Sequence, residues 1–163
     1  MIQTFWLVLK SQLIRHICRG VLMIDVYTDI TLIPKTQEAR AACLLLDQNS
    51  YLGCYTDELH GNNTLSLEIQ GVLLSVQHAR KLSSDAHIRV HCDHENAIKV
   101  LQQRSGAVGR LANYARLLAS HDEINADTNI EYLLIKGHQY NMNPNKFADY
   151  IAGNSLLVER SRQ

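Results

Sequence analysis

Asp29 lies within Ile24-Asp-Val-Tyr-Thr-Asp-Ile-Thr-Leu32, a run of β-branched and apolar residues that predicts a half-buried strand over residues 24–32. An ionised carboxylate in such a strand is too costly unless it is hydrogen-bonded, paired with a cation or bound to metal. No Lys or Arg lies within five residues of Asp29 on either side. Its partners must therefore come from distant parts of the chain.

With 163 residues, of which 46% are hydrophobic, the chain suits one domain with a single core. Four cysteines, Cys18, Cys43, Cys54 and Cys92, form no CxxC pair, so a structural zinc site has little support. Cys43 and Cys54 could meet across a hairpin centred near Gln48 and Asn49. With no secretory signal, free thiols and a reducing, intracellular compartment are expected. Sixteen basic side chains balance sixteen acidic ones, which argues against indiscriminate coating of nucleic acid. The distribution is uneven, because residues 96–121 contain no acid but include Lys99, Arg104, Arg110 and Arg116. That stretch is either an ordinary solvated helix surface or a face that tracks phosphates.

Residues 1–20 place Ile2, Phe5, Trp6, Leu9, Leu13 and Ile17 at helical spacing without an acid. The favoured reading is a terminal amphipathic extension, residues 1–22, docked on a domain of residues 23–163; organelle targeting or membrane-surface binding is the alternative. No stretch is long enough to span a bilayer, and no membrane partner is expected. After the Asp29 strand and a polar connection at 34–38, strands at 41–47 and 51–56 are joined by a tight turn at 47–50 and complete an antiparallel meander. Residues 61–64 read as a loop that could also cap a helix. Over 65–82 the period becomes helical, and Leu65, Glu68, Val72, Ser75 and Ala79 share one stripe, which turns Glu68 inward. A strand at 88–92 ends at Asp93. Helices are expected at 96–103 and 108–120, a last strand at 129–136, and a final helix from Pro144 with Asn143 as its cap. The order β-β-β-α-β-α-α-β-α implies an α/β domain with a mixed five-stranded sheet and helices on both faces.

Asp29, Glu68, Asp93, His138 and Asp149 fall at strand ends or on helices next to them, where sites in mixed α/β sheets gather. Four converging carboxylates repel one another unless cations bind them, and hard divalent ions such as Mg²⁺ take oxygen ligands.

The segments Val26-Tyr-Thr-Asp29-Ile-Thr, Ser66-Leu-Glu68-Ile-Gln-Gly, Val90-His-Cys-Asp93-His-Glu-Asn-Ala-Ile98 and Ile135-Lys-Gly-His138, followed by Asn143-Pro-Asn-Lys-Phe-Ala-Asp149, resemble in order the motifs of type 1 ribonuclease H. The likeness spans residues 24–157. It implies a ribonuclease H-like fold in which Asp29, Glu68, Asp93 and Asp149 hold two Mg²⁺ ions, with Mn²⁺ as a substitute. It also implies that His138, on a loop, assists proton transfer or product release. The implied substrate is an RNA–DNA hybrid whose RNA strand is hydrolysed to a 5′-phosphate and a 3′-hydroxyl, with replication or reverse-transcription proteins as further partners. Asn63 and Asn145 are the substrate-contacting candidates by resemblance, and Lys99, Arg104 and Arg110 are those suggested by charge.

Some features depart from the family pattern. Ile30 follows Asp29 where the family usually has Gly, Asn62 and Asn63 are one residue out of step, and Lys146 replaces an acid. A basic protrusion is not evident, and residues 1–20 are too few for the family's N-terminal hybrid-binding domain. A DNA-acting nuclease or resolvase of the same fold, and a non-catalytic nucleic-acid-binding module, are the competing readings. A zinc site at His91, Cys92 and His94 is disfavoured, because adjacent strand residues point to opposite faces.

Overall fold

The structure is a computed structural model. It describes residues 22–33, 36, 38–61, 63–102, 119, 130–135, 144, 147–149 and 151–152. Five strands form one sheet: β1 (Met23–Ile33), β2 (Glu38–Asp47), β3 (Ser50–Leu59), β4 (His87–Cys92) and β5 (Ile130–Leu134). Two helices are described in full, α1 (Thr64–Leu82) and α2 (Glu95–Leu101). The strand order is β3-β2-β1-β4-β5. The first three strands pair antiparallel, and β4 joins β1, then β5 joins β4, in parallel. The chain must cross the sheet to reach this parallel position, and α1, between β3 and β4 in sequence, carries it from the β3 edge to the far side of β1.

The β2–β3 turn shows how local chemistry sets register. Gln48 and Asn49 both have positive φ, 47° and 69°, the conformation of a two-residue turn whose twist matches the flanking strands. It pairs Cys43 with Tyr55 and Leu44 with Cys54. Directly paired residues share a face and successive residues alternate, so Cys43 and Cys54 lie on opposite faces and do not meet across the hairpin. Cys43, Cys54 and Cys92 are free thiols.

Along β1, Ile24, Val26 and Thr28 are buried and, by strand alternation, share the face that packs on α1. Helix α1 buries Glu68, Val72, Ser75 and Ala79, together with Leu67, Ile69, Leu73 and Val76. Gly71 lets this helix ride close to the sheet. A Cβ there would stand 3.0 Å from Ile30 Cγ2 and 3.3 Å from the Ala41 Cβ. The main core joins Ile24, Val26 and Leu45 with Ile69, Val76, Ile88, Val90 and Val100.

Strands β1, β2 and β3 are longer than the sequence periodicity predicts. β2 begins at Glu38 rather than 41, because Ile33 through Thr31 continue the ladder to Glu38 and Arg40, polar side chains being admissible there. The expected helices at 1–20 and 108–120, and residues 103 and 136–143, lie outside the described residues, Ala119 apart, which is helical. In the final expected helix, residues 144, 147–149 and 151–152 are helical, and Ala148 and Ala152 are fully buried. No described helix is long and apolar enough to cross a membrane.

Candidate active site

Strand β1 delivers Asp29 into a part-buried position where its Oδ1 accepts from the Ile30 N–H at 2.8 Å. Burial, the Asp93 charge and the Asp149 charge together push the Asp29 carboxyl up to about 7, against the lowering effect of that hydrogen bond. Helix α1 delivers Glu68, which is only 8% exposed. Burial first, then Asp29 and Asp93, push its carboxyl up to about 8. An acid shifted in this way is being denied both water and a counter-charge.

Asp93 sits one residue beyond β4, and Asp149 is exposed on the C-terminal helical segment. Of the four expected acids, Asp29 thus feels the charges of Asp93 and Asp149, and Glu68 those of Asp29 and Asp93. Cys92 registers the same gathering. Its buried thiol is pushed up to about 12, chiefly by burial and then by the charges of Glu68, Asp93 and Asp29, although the His94 N–H partly opposes this. Among the described residues, no three His, Cys, Asp or Glu side chains close into a group that would hold a metal. The donors nevertheless suit a hard divalent ion, being carboxylate oxygens, with burial acting on Asp29 and Glu68.

The local sequence explains how the ends of α1 and α2 are fixed beside this set. The Asn63 carboxamide oxygen accepts from the Ser66 N–H at 3.1 Å and caps α1, five residues before Glu68. This is the capping role foreseen for the 61–64 loop, and it commits that oxygen to the helix. His94 caps α2 in the same manner, its Nδ1 accepting from the Ala97 N–H at 3.1 Å. That engagement, together with His91 and Cys92 facing opposite sides, leaves the zinc reading of this segment without support.

Lys99, one of the charge-based candidates, pairs with Glu95 at 2.5 Å. The acid-free stretch begins one residue after that partner, so a segment-wide count missed it. His138, Arg104, Arg110 and Asn145 lie outside the described residues. The sequence reading also missed a network behind the carboxylates. Asp25 accepts from Arg89 Nη2 at 2.7 Å and from His91 Nε2 at 2.8 Å, and the His91 ring stacks on Tyr27 with centroids 4.2 Å apart. The spacing of Asp25 and Tyr27 two residues apart, and of Arg89 and His91 likewise, was the available signal.

No protein-family model matches the chain, and no curated sequence matches it. Solved structures do. The N-terminal ribonuclease H domain of Rv2228c from Mycobacterium tuberculosis is 14% identical, with a TM-score of 0.69, over 87% of this chain and 99% of that one. The ribonuclease H domain of PFV is 18% identical, with a TM-score of 0.65, over 85% and 97%. LC11-RNase H1, solved in complex with an RNA/DNA hybrid, is 13% identical, with a TM-score of 0.56, over 82% and 99%. These likenesses extend across nearly the whole of each domain and agree with the observed strand order. The chain has the ribonuclease H fold.

Proposed function

We propose that the chain is a divalent-metal-dependent endonuclease that hydrolyses the RNA strand of RNA–DNA hybrids. The observation carrying this reading is that Asp29 and Glu68 are acids shifted upward by burial and by neighbouring charges, Asp93 and Asp149 acting on Asp29, and Asp29 and Asp93 on Glu68. Buried acids that repel one another are costly, and a site that binds Mg²⁺ or Mn²⁺ offsets the cost.

Asp29, Glu68, Asp93 and Asp149 would hold two ions. When bound, such ions lower the pKa of an attacking water and stabilise the leaving 3′ oxygen. The protein's own contribution is to fix the carboxylates on three rigid elements and a helix so that the scissile phosphate is oriented between them. His138 is assigned to proton transfer or to product release. Arg104 and Arg110 are assigned to phosphate contacts, with Lys99 able to join once released from Glu95, and Asn63 and Asn145 to contacts with the hybrid. A wide minor groove displaying 2′-hydroxyls is what distinguishes the hybrid from duplex DNA. The hybrid bound to LC11-RNase H1 supports this substrate class. A likeness to the PFV protease–reverse transcriptase, covering 20% of that chain, supports work beside a polymerase.

The test is cleavage of labelled RNA–DNA hybrid, duplex RNA and duplex DNA, each with Mg²⁺, Mn²⁺ or EDTA. Hybrid-only cleavage that EDTA stops is expected. Cleavage of duplex DNA instead would establish the resolvase-like alternative, and binding without cleavage the non-catalytic one.

A further inference from the structure

Two rungs share one face of the β1–β4 strand pair. Asp25 is in register with Arg89, and Tyr27 with His91. Asp29 follows two residues further along β1, on the same side by strand alternation, and Asp93 lies one residue past the end of β4. Both rungs are bonded. Asp25 ties Arg89 and His91 to β1, and the stacked Tyr27 and His91 rings are 7° from parallel. Asp25 and His91 side chains are only 11% and 13% exposed, so solvent does little to loosen their bond. The ladder between the two strands ends at Tyr27 and His91, just short of Asp29 and Asp93.

Two chains that run on past their last paired residues keep the separation which the last bonded residues set. The Asp25–His91 bond crosses diagonally from one rung to the next, and a diagonal brace opposes both separation and sliding of β4 along β1. Burial works to raise the Asp25 carboxyl, but the hydrogen bonds and charges of Arg89 and His91 bring it below the usual carboxylate range. The Asp25 carboxylate is therefore ionised near neutral pH and accepts both bonds.

We propose that Asp25 and His91, with Tyr27 stacked on the imidazole, are positioning residues that set the β1–β4 spacing at which Asp29 and Asp93 can share a divalent ion. The inference rests on the nuclease reading above and adds to it a group of residues that touch neither substrate nor metal. The brace acts by preorganisation: ligands already at the right separation bind without paying to move strands apart or together.

The test is calorimetric titration of the full chain with Mg²⁺ and with Mn²⁺. His91→Phe keeps the ring for Tyr27 and deletes the bond to Asp25, while His91→Gln keeps a donor. His91→Phe should weaken Mg²⁺ binding about tenfold, the usual scale for loss of a group supporting a metal site, with KM for the hybrid unchanged at saturating metal. His91→Gln should recover most of the affinity. A mere packing role would instead lower the unfolding temperature of both variants and leave the metal affinity of the folded protein unmoved. Should His91→Phe fail to fold, Asp25→Asn carries the same expectation. Parental Mg²⁺ affinity in the folded variant overturns the proposal. A parent that neither binds Mg²⁺ nor cuts the hybrid overturns the nuclease reading, and the brace with it.

Discussion

The hydroxyls of Thr28 and Ser75 share a hydrogen bond at 2.9 Å, both side chains being about 2% exposed. Ser75 also donates to the Gly71 carbonyl at 2.7 Å. Thr28 immediately precedes Asp29, and Ser75 follows Glu68 by two helical turns. The bond therefore pins the helix carrying one acid to the strand carrying the other. Thr28→Val keeps the shape and removes the bond, and Ser75 retains its carbonyl partner. The expected loss is about 1 kcal/mol, read as a lower urea midpoint, with a larger proportional loss of hybrid cleavage than of stability.

Gly71 makes the same point by absence of a side chain. Gly71→Ala gains helix propensity, on the order of 1 kcal/mol, but places a methyl against Ile30 and Ala41. The helix must then move by a few tenths of an ångström, and Glu68 with it. Thermal unfolding should shift by only a few degrees, since the two effects offset, while cleavage falls severalfold. Unchanged cleavage would show that α1 has slack at this contact.

Much of this architecture was legible in the sequence, and the reasons are local. The apolar alternation around Asp29, the stripe through Glu68 and the turn at 47–50 each state a period or a backbone conformation directly. Asp29 and Glu68 were singled out because acids on apolar faces demand partners, and Asp93 and Asp149 by their places in the family-like motifs. The Asp25 network was not found, because Asp25 at a strand start reads as a solvated end, and only the parallel pairing of β1 with β4 supplies Arg89 and His91. The ion pair of Lys99 was missed for a similar reason, its partner Glu95 lying just outside the stretch counted.

The ion-free protein should lose stability as pH rises from about 4 to about 8. Folded Asp29 and Glu68 hold their protons to about 7 and about 8, against ordinary carboxyl values of 3.8 and 4.5. Within that window the folded state binds more protons than the unfolded one, so unfolding is favoured as pH increases. The contribution is complete below both lower values. Asp25, shifted in the opposite direction, acts only in the acid range. Urea midpoints in EDTA at several pH values should fall across the window, and fall less for Glu68→Gln. Added Mg²⁺ should restore the midpoint at the alkaline end by binding the ionised acids.

Thiol reactivity checks the burial of the site's flank. Cys43 and Cys92 are each pushed up to about 12, by burial above all, so almost no thiolate forms at neutral pH. Iodoacetamide followed by mass spectrometry should label Cys54, which is half-buried, well before either. Early labelling of Cys92 would mean that the strand end beneath Asp93 opens to solvent.

If Asp29, Glu68, Asp93 and Asp149 bind the ions that cut a hybrid, Asp29→Asn must disable the cut without harming the fold. The change keeps the side chain's shape and its contact with the Ile30 N–H while removing charge from a repelling set. The measurement is the rate of RNA-strand cleavage in a labelled RNA–DNA hybrid with Mg²⁺, alongside the urea midpoint in EDTA. The account predicts a rate at least about 10²–10³-fold lower, the scale for losing a group that organises transition-state charge, in a metal-free protein at least as stable as the parent. Near-parental cleavage by folded Asp29→Asn would contradict it.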